Sequence, residues 1–475
     1  MLLFLSFLGC TTVDPDYTPP ENRAPTAWHT ELGPGLTIKT ADPQHSVNWW
    51  TNFNDPVLNT LIEQAVKNNI NLNQAMAKVR ETRARSHISW AKQSPILDAN
   101  AATTNFNSNE DSGGSATRSA YSIGFDAGWE IDIFGGLQRS IEASEADYSA
   151  QRETLRDVLV TLSAEVGRNY LDLRTTQARL DVAEKNLAIQ QQTYDLNLAK
   201  YQAGLSSELP LQQARYNLEN TGSRIPALRI SLEEIKNRLA VLTGNVPGGA
   251  HALLAERLPI PVTSTTITVG VPAETLRQRP DIRKAERNIA AQSARVGIAT
   301  ANLYPNFRLA GSIGLESRNS ADLFTSGADN WNIRPSVSWH IFDAGAIRRN
   351  IEVQSAIQEQ YLLAYEAAVL GALEEVENTL NTHIEELQRR KRLLAALKAA
   401  RLAETLAQNK YNAGLTDFSS ILDTQRSLLS FEEQLTENQG TISINLIRLY
   451  KALGGGWNSA TPTDSRDTVN KDDTK

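Results

Sequence analysis

Six histidines, His29, His45, His87, His251, His340 and His383, would be the natural metal ligands of this chain. None stands at the three- or four-residue spacing that sets two imidazoles on one helix face. No glycine-rich loop runs into Lys, and no Gly-x-Ser-x-Gly turn occurs, so phosphate cradling and serine acyl transfer lack their usual frames. The adjacent acids Glu374-Glu375 and Glu385-Glu386 lie in helical sequence and read as solvated faces rather than acid/base pairs. The residues therefore indicate no catalytic site, no cofactor and no metal: not an enzyme.

Three positions could do other chemistry. The one cysteine, Cys10, excludes an intrachain disulfide, but it follows an almost wholly apolar run, Met1 to Leu8. Phe7-Leu8-Gly9-Cys10 looks like the lipobox at which bacterial lipoproteins are cleaved and acylated; the alternative is a buried free thiol near the terminus. Phe7 stands where leucine is usual. No Lys or Arg precedes the apolar run, which we read as a start lying further upstream. Thr11, not an aspartate, follows the cysteine, which favours the outer membrane over the inner. Asp417 and Asp423, with Gln425, follow Gly414 closely. Asp417 suits a helix N-cap; Asp423 lies deeper in the helix.

The composition sets bounds on these readings. With 475 residues, a net charge of −7 and a pI near 5.6, the chain lacks the basic surface of a nucleic-acid binder, so nucleic acid is not expected as a partner. No run of 18 apolar residues occurs, so any membrane span must be β, which leaves no such mark in hydropathy.

The elements that must position these residues come in two copies. Lys200-Tyr201-Gln202-Ala203-Gly204-Leu205 is answered by Lys410-Tyr411-Asn412-Ala413-Gly414-Leu415, and 411 minus 201 is 210. The same offset pairs Arg85 with Arg295, Pro95 with Pro305, Trp129 with Trp339, Gly135 with Gly345, Arg139 with Arg349, Leu239 with Leu449 and Gly244 with Gly454. A constant offset over this distance means a tandem repeat without net insertion.

Within the first copy, Tyr121, Ile123, Phe125, Ala127, Trp129, Ile131 and Ile133 alternate with polar or small residues, a strand with one apolar face. Ile333, Pro335, Val337, Trp339 and Ile341 repeat the pattern, and weaker alternation from Leu97 to Phe106 and from Phe307 to Glu316 supplies each strand with a hairpin partner. A soluble half-buried sheet would alternate in the same way. At about ten residues the strands suit a bilayer crossing, yet four strands cannot close a barrel, whose smallest membrane versions have about eight. Three protomers would supply twelve, around a pore lined by Asp126, Glu130, Asp132 and Arg334. Trp129 and Trp339, with Trp331, would form an aromatic girdle, or simply pack.

After each hairpin comes a helix of unusual length. From Gln138 to Ala203 there is no proline, and Leu159, Val166, Leu173, Leu180, Leu187, Tyr194 and Tyr201 recur every seven residues. Such a helix is roughly 100 Å long, too long for a compact domain. The second copy shows Leu373, Leu380, Leu387 and Leu394. Glycines at 204 and 414 suit left-handed caps, after which a second helix returns; Gly222 and Pro226 are expected to interrupt the first return helix. An ordinary dimeric coiled coil would explain the helices but not the hairpins.

The expected organisation is a signal peptide over 1–9, a lipid-anchored linker over 10–55, a first repeat over 56–244 and an equatorial linker over 245–271. A second repeat over 272–457 and a polar tail over 458–475, expected to be disordered, follow. Repeat 1 holds a helix, a hairpin at 97–134, a long helix at 138–203 and a return helix at 208–243. Repeat 2 holds a helix, a hairpin at 307–343, a long helix at 346–413 and a return helix at 418–453. The fold class is mainly α with membrane β.

The sequence resembles the outer membrane factor family, the TolC-like channels of tripartite efflux pumps, and within it the lipoprotein branch that serves resistance-nodulation-division transporters. The resemblance is carried by Cys10 followed by Asp14-Pro15-Asp16-Tyr17-Thr18-Pro19-Pro20, by Trp49-Trp50, Phe53, Asp55-Pro56 and Leu58, by Arg279-Pro280-Asp281-Ile282-Arg283, by Tyr304-Pro305 and by the two Tyr-x-Ala-Gly-Leu turns. It implies a homotrimer with a twelve-stranded outer-membrane barrel and a coiled-coil helical tube in the periplasm of a Gram-negative bacterium. It also implies a periplasmic adaptor and an inner-membrane transporter as partners, with export of small molecules. Asp423 matches an acidic ring that narrows the periplasmic entrance in the family, where three copies of one carboxylate around an axis would repel anions and attract cations, so the resemblance implies a periplasmic gate at Asp423, with Asp417 the second candidate; the turns at Tyr201, Gly204, Leu205, Tyr411, Gly414 and Leu415 would meet the adaptor. A type I protein-secretion channel would share the whole fold; a non-conducting coiled-coil surface protein would share only the helices.

Overall fold

The computed structural model describes residues 13, 15–21, 24–33, 36–37, 47–110, 114–263 and 267–457, without the side chains of 106–110 and 114–117. Cys10, the expected signal peptide over 1–9 and the expected tail over 458–475 lie outside the described residues. The elements run β1 (Leu36–Thr37), α1 (Pro56–Asn68), α2 (Ile70–Ala91), β2 (Ile96–Glu110), β3 (Gly114–Ile131), α3 (Gly136–Gln202), α4 (Glu208–Leu242), β4 (Ile267–Thr268), α5 (Pro272–Gln278), α6 (Pro280–Ala301), β5 (Asn306–Ser317), β6 (Asp329–Ser338), α7 (Ala346–Asn412) and α8 (Phe418–Ala452). A short 3-10 turn, Trp49–Phe53, precedes α1. Helices α3 and α7 each hold 67 residues and begin 210 apart, and α4 and α8 each hold 35 and begin 210 apart.

Two compact units form, and each takes residues from both repeats. The first comprises 1–21, 77–153 and 284–367, and the second 22–76, 154–283 and 368–475. In the first, four strands make one antiparallel sheet in the order β2-β3-β5-β6. Pro335 sits in β6, an edge strand, the place in a sheet where a missing N–H is tolerated. Arg139, near the start of α3, is buried: its guanidinium donates to the Val13 carbonyl at 3.0 and 2.8 Å and pairs with Asp16 at 2.5 Å and Glu142 at 2.7 Å. Gly297 of α6 leaves it room, since a Cβ there would come within 2.9 Å of Arg139 Cγ.

The second unit holds the main core, built from both copies: Leu58, Leu61, Ile62, Val166, Leu173, Leu239 and Leu242 pack with Val376, Leu380, Leu446 and Leu449. Trp49 stacks on Tyr450 with ring centres 5.7 Å apart, and Gly167 lets its indole approach, as a Cβ there would sit 2.7 Å from the ring edge. A buried polar chain crosses this core. Tyr170 donates to Asp55 at 2.6 Å, and Arg174 donates to Tyr170 at 2.9 Å and to the Glu256 carbonyl at 2.6 Å. Burial, then the bond to Asp55, pushes the Tyr170 phenol far above its usual range.

The helices depart from expectation in three places. The segments expected as single helices before each hairpin break in two. Asn69 and Arg279 take extended backbone there, Arg279 because it precedes Pro280. Helix α4 is continuous through Pro226. The carbonyl that loses its donor is that of Gly222, and the absent side chain there gives the turn room to relax. In α7 the buried stripe leaves the strict seven-residue spacing: Leu393, Leu397 and Ala400 are buried while Leu394 is exposed. The stripe steps back by one residue, towards the start of α7, the opposite sense to the forward drift of a 3.6-residue helix against a 3.5-residue seam.

Candidate functional site

Two groups of side chains carry the functional expectation, one on the sheet of the first unit and one at the helix tips of the second. On the sheet, register sorts the residues by face. Asp126 stands opposite Asp98 and Ser312, Glu130 opposite Arg308, and Arg334 opposite Ala310. Ile123, Phe125 and Trp129 lie on the other face with Leu309, Ile313, Ile333 and Val337, and all of the large ones among these except Leu309 are exposed. One face is thus apolar and bare, the other polar and bridged. Asn100 donates to Asp126, Asn306 donates to Glu130 at 2.8 Å, and Arg334 donates to Asn332 at 2.9 Å.

Asp132 does not extend this polar row. β3 ends at Ile131, and the Asp132 carboxylate accepts from the Gln138 N–H at 2.8 Å, capping the first turn of α3. Asp98 and Arg308, which sequence reasoning passed over, belong to the polar face instead. Their own alternation, in the two weaker strands, was the available signal. The Trp129 indole donates to the Gln93 carbonyl at 2.8 Å and that of Trp339 to the Leu303 carbonyl at 3.0 Å, so each tryptophan is pinned at the same place in its repeat.

At the tips, α3 and α7 end in the same motif. Gly204 and Gly414 take φ of +70° and +71°, which a side chain would oppose. Leu205 N–H donates to the Lys200 carbonyl and Gly204 N–H to that of Tyr201, and Leu415 and Gly414 repeat both bonds. These turns leave Leu205 and Leu415 more than three-quarters exposed. Behind them Phe418, Ile421 and Leu422 pack with Ala214 and Ala407, and Tyr411 lies against Phe418 at 5.6 Å. The Lys200 ammonium lies 4.4 Å from the Tyr411 ring centre, a cation–π contact that ties the two tips together.

Asp417 occupies the N-cap position of α8, but its side chain makes no cap bond; only its carbonyl is used, by the Ser420 N–H at 3.2 Å. Asp423 projects with its side chain 76% exposed, and among the described residues its ionic neighbour is Arg426, at 4.0 Å. Arg426 in turn lies 5.0 Å over the Tyr216 ring and donates to Asn217 at 3.4 Å. Tyr216 and Arg426 are themselves equivalent positions, 210 apart, one from each tip. The first return helix carries Gln213 where the second has Asp423. Among the described residues no group of three His, Cys, Asp or Glu side chains could hold a metal, and no helix is long and apolar enough to cross a membrane.

Comparison with known proteins agrees with this geometry. The family profile described as outer membrane efflux protein matches twice, over 61–245 and 271–455. The cation efflux system protein CusC of Escherichia coli is 31% identical over 456 residues, covering 95% of this chain and 97% of its own. The solvent efflux pump outer membrane protein SrpC of Pseudomonas putida is 30% identical over 470 residues, covering 96% and 97%. The solved outer-membrane channel OprN superposes with a TM-score of 0.89 at 31% identity, covering 94% of this chain and all of its own, and the open MtrE channel of Neisseria gonorrhoeae with 0.81 at 27%, covering 94% and 98%. With its duplicated hairpins, paired long helices and two profile matches, the chain is not an enzyme and belongs to the outer membrane efflux protein family.

Proposed function

We propose that this chain forms a homotrimeric exit duct for small molecules, the outer-membrane stage of a resistance-nodulation-division pump, gated at its helix tips and anchored by an acylated Cys10. The observation that carries the reading is the four-stranded sheet. One of its faces is apolar and exposed, the other polar, and its outer strands are unpaired on one side. Such a sheet is stable in a bilayer only as part of a closed barrel, and one copy has too few strands to close it. The exposed turns at Leu205 and Leu415 are the docking points for a periplasmic adaptor, which relays substrate from the inner-membrane transporter. Trp129 and Trp339 sit at the membrane boundary. Asp126, Glu130 and Arg334 face the lumen. A passive duct leaves the choice of substrate to the transporter, which accords with near-equal likeness to a cation and a solvent efflux protein.

Three Asp423 carboxylates, with Asp417 beside them, would form a cation-attracting constriction. Planar-bilayer conductance of the extracted protein tests this. The wild type is expected to conduct weakly with cation preference, and Asp423→Ala to raise conductance several-fold or weaken that preference. A folded oligomer that conducts in neither form would overturn the channel reading; a conducting oligomer indifferent to the substitution would remove Asp423 from the gate.

A further inference from the structure

Helix α4 contains one turn at which its backbone ladder and its packing partners both change. Pro226 has no N–H to give the Gly222 carbonyl, so this turn lacks a hydrogen bond and, at Gly222, a side chain as well. The equivalent positions of α8 are Glu432 and Thr436, where the Glu432 carbonyl accepts from the Thr436 hydroxyl at 2.8 Å. The carbonyl that goes without a donor in one repeat has one in the other. Lack of room does not demand the glycine, because a Cβ on Gly222 would meet only Leu187, at an ordinary 3.7 Å.

The partners change at the same turn. On the tip side α4 leans chiefly on α8. Ala214 packs with Phe418, Ile421 and Leu422, with Tyr194 of α3 at the margin. Arg426 lies 5.0 Å over the Tyr216 ring and donates to Asn217 at 3.4 Å, and Arg224 pairs with Glu433 at 3.3 Å. From the next residue onward α4 leans on α3. Ile225 packs with Leu180 and Ala183, Arg229 pairs with Glu184 at 3.2 Å and Arg238 with Glu165 at 3.0 Å. Glu184 is held in turn by Arg257 at 2.9 Å. The tip side is also the less satisfied of the two. Asn217 and Gln425 are buried there, yet Asn217 Nδ2 and Gln425 Oε1 have no hydrogen-bond partner among the described residues, so this packing gives up little on rearranging.

We infer that α4 is jointed at Gly222–Pro226: when the duct opens, its tip half, Glu208 to Thr221, moves with the tips of α7 and α8, while Ile225 to Leu242 stays on α3. This rests on the gated-duct reading above and locates the bend within it. The contacts then divide in a defined way. Arg426 with Tyr216 and Arg224 with Glu433 lie within the moving side and survive opening. Lys200 with Tyr411, 4.4 Å from ammonium to ring centre, joins α3 to the moving side and is given up. The turn at Gly204, where a Cβ would meet nothing within 4 Å, has the space to take up the change.

Tethers test which contacts move, with Cys10 as the sole natural thiol. The full-length oligomer is compared in planar bilayers before and after reaction with a short bismaleimide. A tether across Tyr216→Cys and Arg426→Cys should leave conductance within about twofold, whereas one across Lys200→Cys and Tyr411→Cys should lower it about tenfold or more. Gly222→Ala with Pro226→Ala makes α4 a regular helix and should lower the open fraction roughly fivefold. A tether between positions 216 and 426 that closes the channel as firmly as the other shows that α4 does not travel with α8, and the joint is refuted. A straightened α4 that opens like the wild type refutes it as well. In both cases a conducting oligomer leaves the duct standing; a folded oligomer that never conducts overturns the duct and the joint together. Should the double alanine variant not assemble, the two tethers decide alone, since they leave Gly222 and Pro226 in place.

Discussion

Arg139 and Arg349 occupy one position in two repeats and show how far identical local sequence can diverge in its surroundings. Both N–H groups bond the carbonyl of a left-handed glycine four residues back, and both guanidinia pair with the acid three residues on, Glu142 or Glu352. Arg349 stops there, with its side chain 78% exposed, whereas Arg139 is buried and also holds the Val13 carbonyl and Asp16. Removing Arg139 would leave that carbonyl without its donors, so Arg139→Ala should loosen the docked segment around Val13 to Tyr17 by about 2 kcal/mol. Proteolysis near Tyr17 should rise by roughly an order of magnitude or more, and Arg349→Ala, losing only an exposed pair, should leave it unchanged. Equal sensitivity of the two variants would refute the clamp. The paired arginines were legible in sequence, but the clamp was not, because Asp16 lies 123 positions away and spacing carries no trace of that contact. For the same reason Asp423 could be singled out from the sequence, while its neighbour Arg426, held over Tyr216, could not.

At the scale of elements, glycine decides how closely helices approach. Gly440 in α8 crosses α3 where a Cβ would sit 2.1 Å from the Thr175 hydroxyl oxygen, itself donating to the Leu171 carbonyl at 2.7 Å. Gly371 in α7 has nothing within 4 Å. Alanine should therefore act in opposite directions. Gly440→Ala overpacks the crossing and should destabilise by about 1–3 kcal/mol, whereas Gly371→Ala removes backbone freedom from a helix interior and should stabilise by about 1 kcal/mol. Thermal unfolding of the two variants checks both signs, and a stabilised Gly440→Ala would contradict the close crossing. Sequence periodicity found every long helix and both hairpins, because amphipathic patterns over many residues leave little choice of element. It misplaced what depends on the third dimension: the break at Asn69, whose amide donates to the Leu242 carbonyl at 2.9 Å, the continuity of α4 through Pro226, and the backward step of the α7 stripe.

For the whole molecule, the repeats of the sequence are not the units of folding. The core of the second unit joins Leu58, Val166 and Leu239 from one copy to Val376, Leu380 and Leu449 from the other, and the sheet of the first unit joins β3 to β5 across the copies. A single repeat would expose half of that core and one full strand edge, and a hairpin alone is at best marginal in water. Each unit therefore requires both halves. The connection between the repeats need not be covalent, provided the cut avoids Leu254 and Val269, which are core residues, and the β1–β4 pairing at Ile267. Val262, more than half exposed, offers such a place. Fragments 1–262 and 263–475, produced together, should associate and yield an oligomer that conducts like the intact chain, while either alone should be degraded or aggregate. If one fragment by itself gave a stable, conducting assembly, six half-chains would suffice where three whole chains are proposed, and the two repeats would be interchangeable. Differences between the repeats argue against that outcome: Gln213 against Asp423, Arg349 without the contacts of Arg139, and Gly124 and Gly314, which face each other across β3 and β5, where the other copy has Arg334 and Thr104. Each makes one repeat supply what the other lacks, so the duplicated chain behaves as a heterodimer joined end to end.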